Sequence, residues 1–131
     1  MFTYTVGSGA TAVTIQAWEA GDGLICYLSG GGYPHIGAAA LATAHPSVAG
    51  GGRRSATASV ITLPTHKDDE LARPAALRLA AALGRPVVVV AGVHIGPPGH
   101  YTATPEEIQA AVANARAAVE ALISRIAADR A

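Results

Sequence analysis

The sequence PVVVVAGVH, residues 86–94, holds the longest unbroken apolar run in the chain and ends in a histidine. Because no polar residue alternates with the valines, the run predicts a strand over residues 87–93 that is buried on both faces. It is far too short to cross a membrane, which takes about 20 apolar residues. A strand buried on both faces needs other helices or strands packed against it, so the elements predicted before and after it in the sequence indicate the fold.

A helical pattern precedes this strand. Apolar residues recur at helical spacing over residues 71–83, and Gly84 ends the pattern. Thr65 is the predicted N-cap. If the helix begins at His66, Pro74 falls too far in for a first-turn position, so a kink or a later start is expected.

A second helix is predicted after the strand. Thr104-Pro105-Glu106-Glu107 supplies an N-cap, a proline at the first helical position and carboxylates in the first turn. Apolar residues then continue at helical spacing to about Ala128. This helix closes the chain.

The first half of the chain predicts strands. Apolar and polar residues alternate over residues 12–19, and a glycine-rich turn leads to an apolar run at residues 24–28, so the two form a hairpin. Residues 36–43 and 55–62 read as two more strands. The predicted fold is a single α+β domain over residues 1–131: a mainly antiparallel sheet of five to six strands with two helices packed on it, in the order β-β-β-β-α-β-α.

Composition narrows the class of protein. Only 14% of residues are charged and the formal net charge is zero, which excludes the basic surface of a nucleic-acid-binding protein. Cys26 is the only cysteine and lies in an apolar run, so it predicts a buried, inert thiol. The N-terminus carries no signal-peptide pattern, and no stretch spans a membrane, so a soluble cytoplasmic protein is expected. The high Ala and Val content favours a homo-oligomer.

Three polar clusters stand at the edges of the predicted strands and helices. They are Tyr33-Pro34-His35-Ile36-Gly37, Thr65-His66-Lys67-Asp68-Asp69 and Val93-His94-Ile95-Gly96. Folds place side chains that converge on a ligand at such edges. Lys67 at a helix N-terminus, with Arg53 or Arg54, is a candidate phosphate seat.

These motifs, taken in order with Ser55-Ala56-Thr57-Ala58-Ser59-Val60 and Val90-Ala91-Gly92, resemble the accessory subunits of non-oxidative hydroxyarylic-acid (gallate-type) decarboxylases. Those proteins are small prenylated-flavin chaperones of the LpdD-like group. The resemblance covers most of the chain and implies a proteasome-assembly-chaperone-like fold, usually dimeric. It also implies non-catalytic binding of prenylated FMN, to help load or mature a UbiD-type decarboxylase.

The chemistry of the motif residues is compatible with that ligand. Cationic donors could hold the phosphate, an apolar Ala, Val and Ile surface could cover the ring, and Tyr33, Trp18 and Tyr101 are the candidate stacking aromatics. The predicted cofactor-binding residues are His35, Gly37, Arg53, Arg54, Ser55, Thr57, His66, Lys67, Asp68, Asp69 and His94.

Two other functions stay open at this point. A small metal-dependent enzyme could use His35, His66, Asp68 and His94 as ligands and Asp69 as a general base, although the spacing matches no zinc signature. An interaction module could use the same polar clusters to shape a dimer interface. Whether a metal is present, and which decarboxylase is the partner, are not determined by the sequence.

Overall fold

The structure, a computed structural model, describes residues 1–64, 67–96, 99 and 103–130. Six strands, one short 3-10 helix (Gly9–Thr11) and two α-helices follow one another along the chain. The elements are β1 Phe2–Val6, β2 Val13–Ala20, β3 Gly23–Gly31, β4 Ala38–Pro46, β5 Arg54–Thr62, α1 Asp69–Leu83, β6 Val87–His94 and α2 Pro105–Asp129.

The strands form one mixed sheet in the order β1-β2-β3-β6-β4-β5. Strand β6 lies in the middle, parallel to β3 and antiparallel to β4. The remaining neighbours are antiparallel, so the predicted α+β sheet of mainly antiparallel strands is confirmed. The predicted element order lacked β1, a strand of only five residues at the start of the chain.

Both helices cover the same face of the sheet. Helix α1 packs on β4, β5 and β6, and α2 packs on β1 and β2. The core between helices and sheet is built from fully buried aliphatic side chains such as Ile15, Leu28, Leu79, Val89 and Leu122. Burying each side chain of this size contributes about 1.5–3 kcal/mol to folding.

The prediction that β6 is buried on both faces was wrong. Val87, Val89 and Ala91 are buried under the helices, whereas Val88 and Val90 point the other way and are only half-buried. A continuous apolar run does not distinguish a second covering layer from an open apolar face. The face of the sheet that carries Val88 and Val90 has no helix on it among the described residues.

The helix starts agree with the sequence patterns to different degrees. At α2, the Thr104 hydroxyl accepts from the Glu107 backbone N–H (3.1 Å) and the Glu107 carboxylate accepts from the Thr104 N–H (2.9 Å), as predicted for a capping box. Helix α1 begins at Asp69, with Asp68 in the N-cap position, so the Thr65 N-cap was wrong and the later start was right. Pro74 lies inside α1.

Cys26 is expected to be unreactive in the folded protein. Its side chain is completely buried under the helices, and burial raises the pKa of the thiol to about 12. Because the thiolate is the nucleophile, alkylation by iodoacetamide at pH 8 should be at least about 100-fold slower in native protein than in urea. Mass spectrometry after timed labelling measures this, and rapid labelling of native protein would contradict the buried placement.

No helix in the described part of the chain combines the length and apolar character needed to cross a membrane.

Candidate functional site

The first and third polar clusters, together with Asp68 from the second, meet at the C-terminal end of β6. The rings of His35 and His94 lie with centroids 6.2 Å apart, nearly perpendicular. The Tyr33 ring stacks on His35 at 5.9 Å and meets His94 edge-on at 6.2 Å. We call Tyr33, His35, Asp68 and His94 the histidine cluster.

Asp68 lies in the N-cap position of α1 but does not cap the helix with its side chain. An aspartate at this position normally accepts from the free N–H groups of the first turn. Here one carboxylate oxygen, Oδ1, accepts from the Val93 backbone N–H (2.9 Å), and Oδ2 lies 3.0 Å from His35 Nε2. The side chain is only 5% exposed, so the carboxylate holds the cluster together at the expense of the helix start.

The sheet topology explains why Asp68 meets Val93. Strand β4 pairs with β6 only as far as Ala38, which lies opposite Ala91. Beyond that pair β4 turns away, and the Val93 N–H would lack a strand partner. The Asp68 carboxylate takes the place of the missing strand, which satisfies a buried backbone donor.

The two ring nitrogens of His35 both face oxygen atoms. Nδ1 lies 3.1 Å from the Tyr33 carbonyl and Nε2 lies 3.0 Å from the Asp68 carboxylate. Carbonyl and carboxylate oxygens only accept, so a ring nitrogen of His35 that carries a hydrogen donates it to the oxygen that it faces. The two contacts fix the orientation of the ring between Tyr33 and Asp68.

Two glycines let the 33–36 segment lie close to the sheet and to Asp68. A Cβ on Gly92 would collide with the backbone carbonyl of His35, and a Cβ on Gly37 would collide with the Asp68 carboxylate. The Gly37 N–H donates to the Ala91 carbonyl at 2.9 Å. Glycine is therefore required at both positions for the segment to reach its place.

Tyr27 holds the same segment from the face of the sheet opposite the helices, which we call the open face. Its hydroxyl donates to the His35 carbonyl at 2.9 Å. Burial, and after it the negative charge of Asp68, raise the pKa of Tyr27 above its ordinary value. The phenol therefore stays protonated and keeps donating throughout the physiological pH range.

A groove with a volume of about 520 Å³ opens beside the histidine cluster, between the start of α1, the end of β6 and the first turns of α2. Its apolar wall consists of Leu71, Val93, Ile95, Ala103, Ile108, Ala111 and Val112. Its polar lining consists of Lys67, Asp68, Glu70 and His94. A second, mainly apolar groove of about 360 Å³ runs on between the two helices and shares Glu70, Leu71 and Val112 with the first.

The charges around the groove are mixed. Lys67 is exposed at its rim, and the positive end of the α1 dipole points towards it. Glu70 lies on the same rim and opposes an anion. Lys67 and the start of α1 are therefore the donors for an anionic group, against the carboxylates of Asp68 and Glu70, whereas the apolar wall suits a flat or aliphatic body.

The structure does not bring Arg53 and Arg54 to this site. Arg54 donates from Nε to the Ala81 carbonyl (3.0 Å) and from Nη2 to the Ala82 carbonyl (2.7 Å), at the C-terminal end of α1. The 15 residues of α1 separate that end from Asp68 by about 22 Å. Arg54 is thus engaged in satisfying helix carbonyls rather than available as a phosphate donor near Asp68.

Ser55 and Thr57 lie in the same remote half of β5. They are opposite His45 and Thr43 in β4, and the Thr57 hydroxyl lies 2.8 Å from His45 Nε2. Asp69 is the first residue of α1, next to the cluster, but it is not among the described residues that line the groove. Ser55, Thr57 and Asp69 were predicted as cofactor-binding residues only because they belong to the sequence motifs.

Part of the predicted site lies outside the described residues. Thr65, His66 and Tyr101 belong to this part, so the placement of His66 as a ligand stays a prediction. Among the described residues, no group of three or more His, Cys, Asp or Glu side chains is arranged to hold a metal ion.

Sequence reasoning missed Tyr27 and most of the apolar groove wall. Tyr27 lies in the apolar run of residues 24–28, where a packing role is expected, and nothing in one sequence shows that β3 runs parallel to β6 and brings this hydroxyl to His35. Ile108 and Val112 carry the helical periodicity of α2, which predicts core positions. Only their place at the open end of the helix pair makes them a groove wall.

The fold is similar to that of a protein of known structure. A chain of a chaperone complex for yeast 20S proteasome assembly, known from a crystal structure, matches with a TM-score of 0.56 and 15% sequence identity. The match covers 97% of this chain and 94% of that one. At this identity the likeness establishes the fold, which is that of the proteasome assembly chaperones, as predicted.

The sequence assigns the chain to a family. It belongs to the prenylated flavin chaperone LpdD-like domain family, whose pattern it matches over residues 7–127. The resemblance deduced from the motifs is therefore confirmed. No curated protein matches the chain.

Proposed function

We propose that this protein binds prenylated FMN without turning it over and helps to load or mature a UbiD-type decarboxylase. Membership of the prenylated flavin chaperone family carries the proposal. The groove beside the histidine cluster supports it, because it combines an apolar wall with a cation at a helix start. The working unit is proposed to be a cytoplasmic homodimer.

The residues of the groove fit the chemistry of such a ligand. Prenylated FMN presents an extended polycyclic ring, a polar ribityl chain and a phosphate. Leu71, Ile108 and Val112 offer an apolar surface for the ring, and Lys67 with the start of α1 offers donors for the phosphate. The exposed Tyr33 ring, 45% accessible, meets the groove-lining His94 edge-on and is a candidate stacking aromatic.

The groove is open along one side, which suits a protein that carries its ligand better than an enzyme that transforms it. A carrier must release its ligand to the partner enzyme, so it gains from a site that is accessible along one side. The histidine cluster forms one polar side of the groove. His94 lines the groove there, and Asp68 is held to β6 by the Val93 backbone N–H. The bound flavin itself would supply the decarboxylation chemistry once it reaches the enzyme.

Lys67→Ala is expected to weaken binding of prenylated FMN about tenfold, because it removes the cation at the helix start. Arg53→Ala is the matched control: it removes the same charge at the far end of β5 and should change affinity less than about twofold. Absorbance and fluorescence titrations with FMN and with prenylated FMN measure both effects.

The outcomes separate the alternatives. If Arg53→Ala weakened binding as much as Lys67→Ala, the phosphate would not bind in the groove beside Lys67. Absence of saturable binding by wild-type protein to either flavin would overturn the proposal and leave the interaction module. About one tightly held transition metal per purified chain would instead support the metal-dependent enzyme.

A further inference from the structure

The open face of the sheet is unusual in its chemistry. One row of directly paired residues crosses four strands on this face: Trp18 opposite Ile25, Ile25 opposite Val88, and Val88 opposite Leu41. Trp18, Ile25 and Leu41 are 40%, 46% and 52% exposed, although their size and apolarity suit a core. The row is a continuous apolar strip across the middle of the sheet.

A second row lies beside the first. It runs from Tyr27 through Val90 and Ala39 to Ile61, whose side chain is 77% exposed. Around the two rows, the outward positions of the six strands carry Thr, Ser, Gln, Ala, Gly and His, and none carries Asp, Glu, Lys or Arg within the described strands. The face therefore has no fixed charge from edge to edge.

We propose that this open face packs against the same face of a second copy of the chain, with Trp18, Ile25, Leu41 and Ile61 at the centre of the interface. This inference rests on the homodimer proposed above and identifies its surface. A neutral face offers a different protein no charge pattern to recognise. A second copy presents an equally neutral and apolar face, which two-fold symmetry makes self-complementary.

The dimensions of the face agree with a stable dimer. Five strands of eight or nine residues and one of five, about 4.8 Å apart, give a face of roughly 700 Å². A standard protein interface buries about 800 Å² on each partner. Two sheets packed in this way, about 10 Å apart, would form a sandwich with the helices on its outer sides.

Tyr27 connects this interface with the ligand site. It stands in the second row, between Gln16 of β2 and Val90 of β6, while its hydroxyl holds the His35 carbonyl. The interface therefore borders the histidine cluster, because the 33–36 segment lies over Gly92 at one end of the same face. The groove on the helix side stays open for the ligand.

The test measures the mass of the flavin-free protein by light scattering and sedimentation over a micromolar concentration series. Wild type should weigh twice the chain mass of 13.1 kDa. Leu41→Lys should weaken the dimer about 100-fold, because it buries a charge in both copies. Val48→Lys, a fully exposed apolar position between β4 and β5, is the matched control and should stay dimeric.

Trp18, the only tryptophan, gives a second measurement. Acrylamide should quench its fluorescence weakly in wild type and strongly in Leu41→Lys, with circular dichroism confirming that the variant is folded. A monomeric wild type, or a folded Leu41→Lys that remains dimeric, would overturn the proposal. Since neither measurement uses flavin, failure here leaves the titration of Lys67→Ala as an independent test of the function.

Discussion

Asp68→Ala is expected to lower the free energy of unfolding by about 3 kcal/mol. The change leaves the Val93 N–H without its acceptor and removes the carboxylate that faces His35. Each lost bond to a buried charged group costs about 1.5–3 kcal/mol, and the small side chain offers no replacement. Urea unfolding followed by circular dichroism measures the difference, and flavin affinity should fall in the same variant.

Asp69→Ala is the matched control for this prediction. Asp69 is the first residue of α1 and contributes through the helix dipole, which is worth about 0.5 kcal/mol. Asp68→Asn should fall between the two, because an amide oxygen can still accept from Val93. Equal losses for Asp68→Ala and Asp69→Ala would mean that the carboxylate does not hold the cluster.

Gly92→Ala is expected to displace the 33–36 segment and to cost about 2 to 3 kcal/mol of stability. The new methyl group would overlap the His35 backbone carbonyl, which cannot move aside as a flexible side chain could. The Tyr27 hydroxyl would lose its acceptor by the same displacement. We expect at least a tenfold loss of flavin affinity, measured by the same titrations.

Gly32→Ala separates this effect from a general loss of chain flexibility. Gly32 lies in the same loop region, is exposed, and would place a Cβ in ordinary contact, 3.5 Å from the Gly96 carbonyl. It should change stability by less than about 0.5 kcal/mol and leave affinity unchanged. If Gly92→Ala proved equally harmless, the close approach of the segment to β6 would be unnecessary for binding.

The proposed dimer and the proposed ligand site use opposite sides of the same strands. Strand β6 presents Val88 and Val90 to the open face, and its C-terminal end carries Val93 and His94 to the groove. The groove thus opens on the helix side, whereas the 33–36 segment of the histidine cluster lies over Gly92 on the open face. Tyr27 is the described side chain that links the two.

The sequence alone determined the elements that depend on local chemistry. The capping box at Thr104 and the hairpin of β2 and β3 follow from residues close together in the chain, so their patterns were sufficient. The three polar clusters were also recognised, since polar side chains stand out in a chain with 14% charged residues. The family resemblance followed from the order of those motifs.

Only the tertiary structure decided which of those polar residues meet. Arg54 and Lys67 looked equivalent as cations, but α1 carries them to opposite ends, and Arg54 binds helix carbonyls. The Asp68 carboxylate replaces a strand partner of Val93, because the pairing of β4 with β6 ends at Ala91. Such contacts join residues far apart in sequence, and their geometry depends on strand order, which local patterns do not encode.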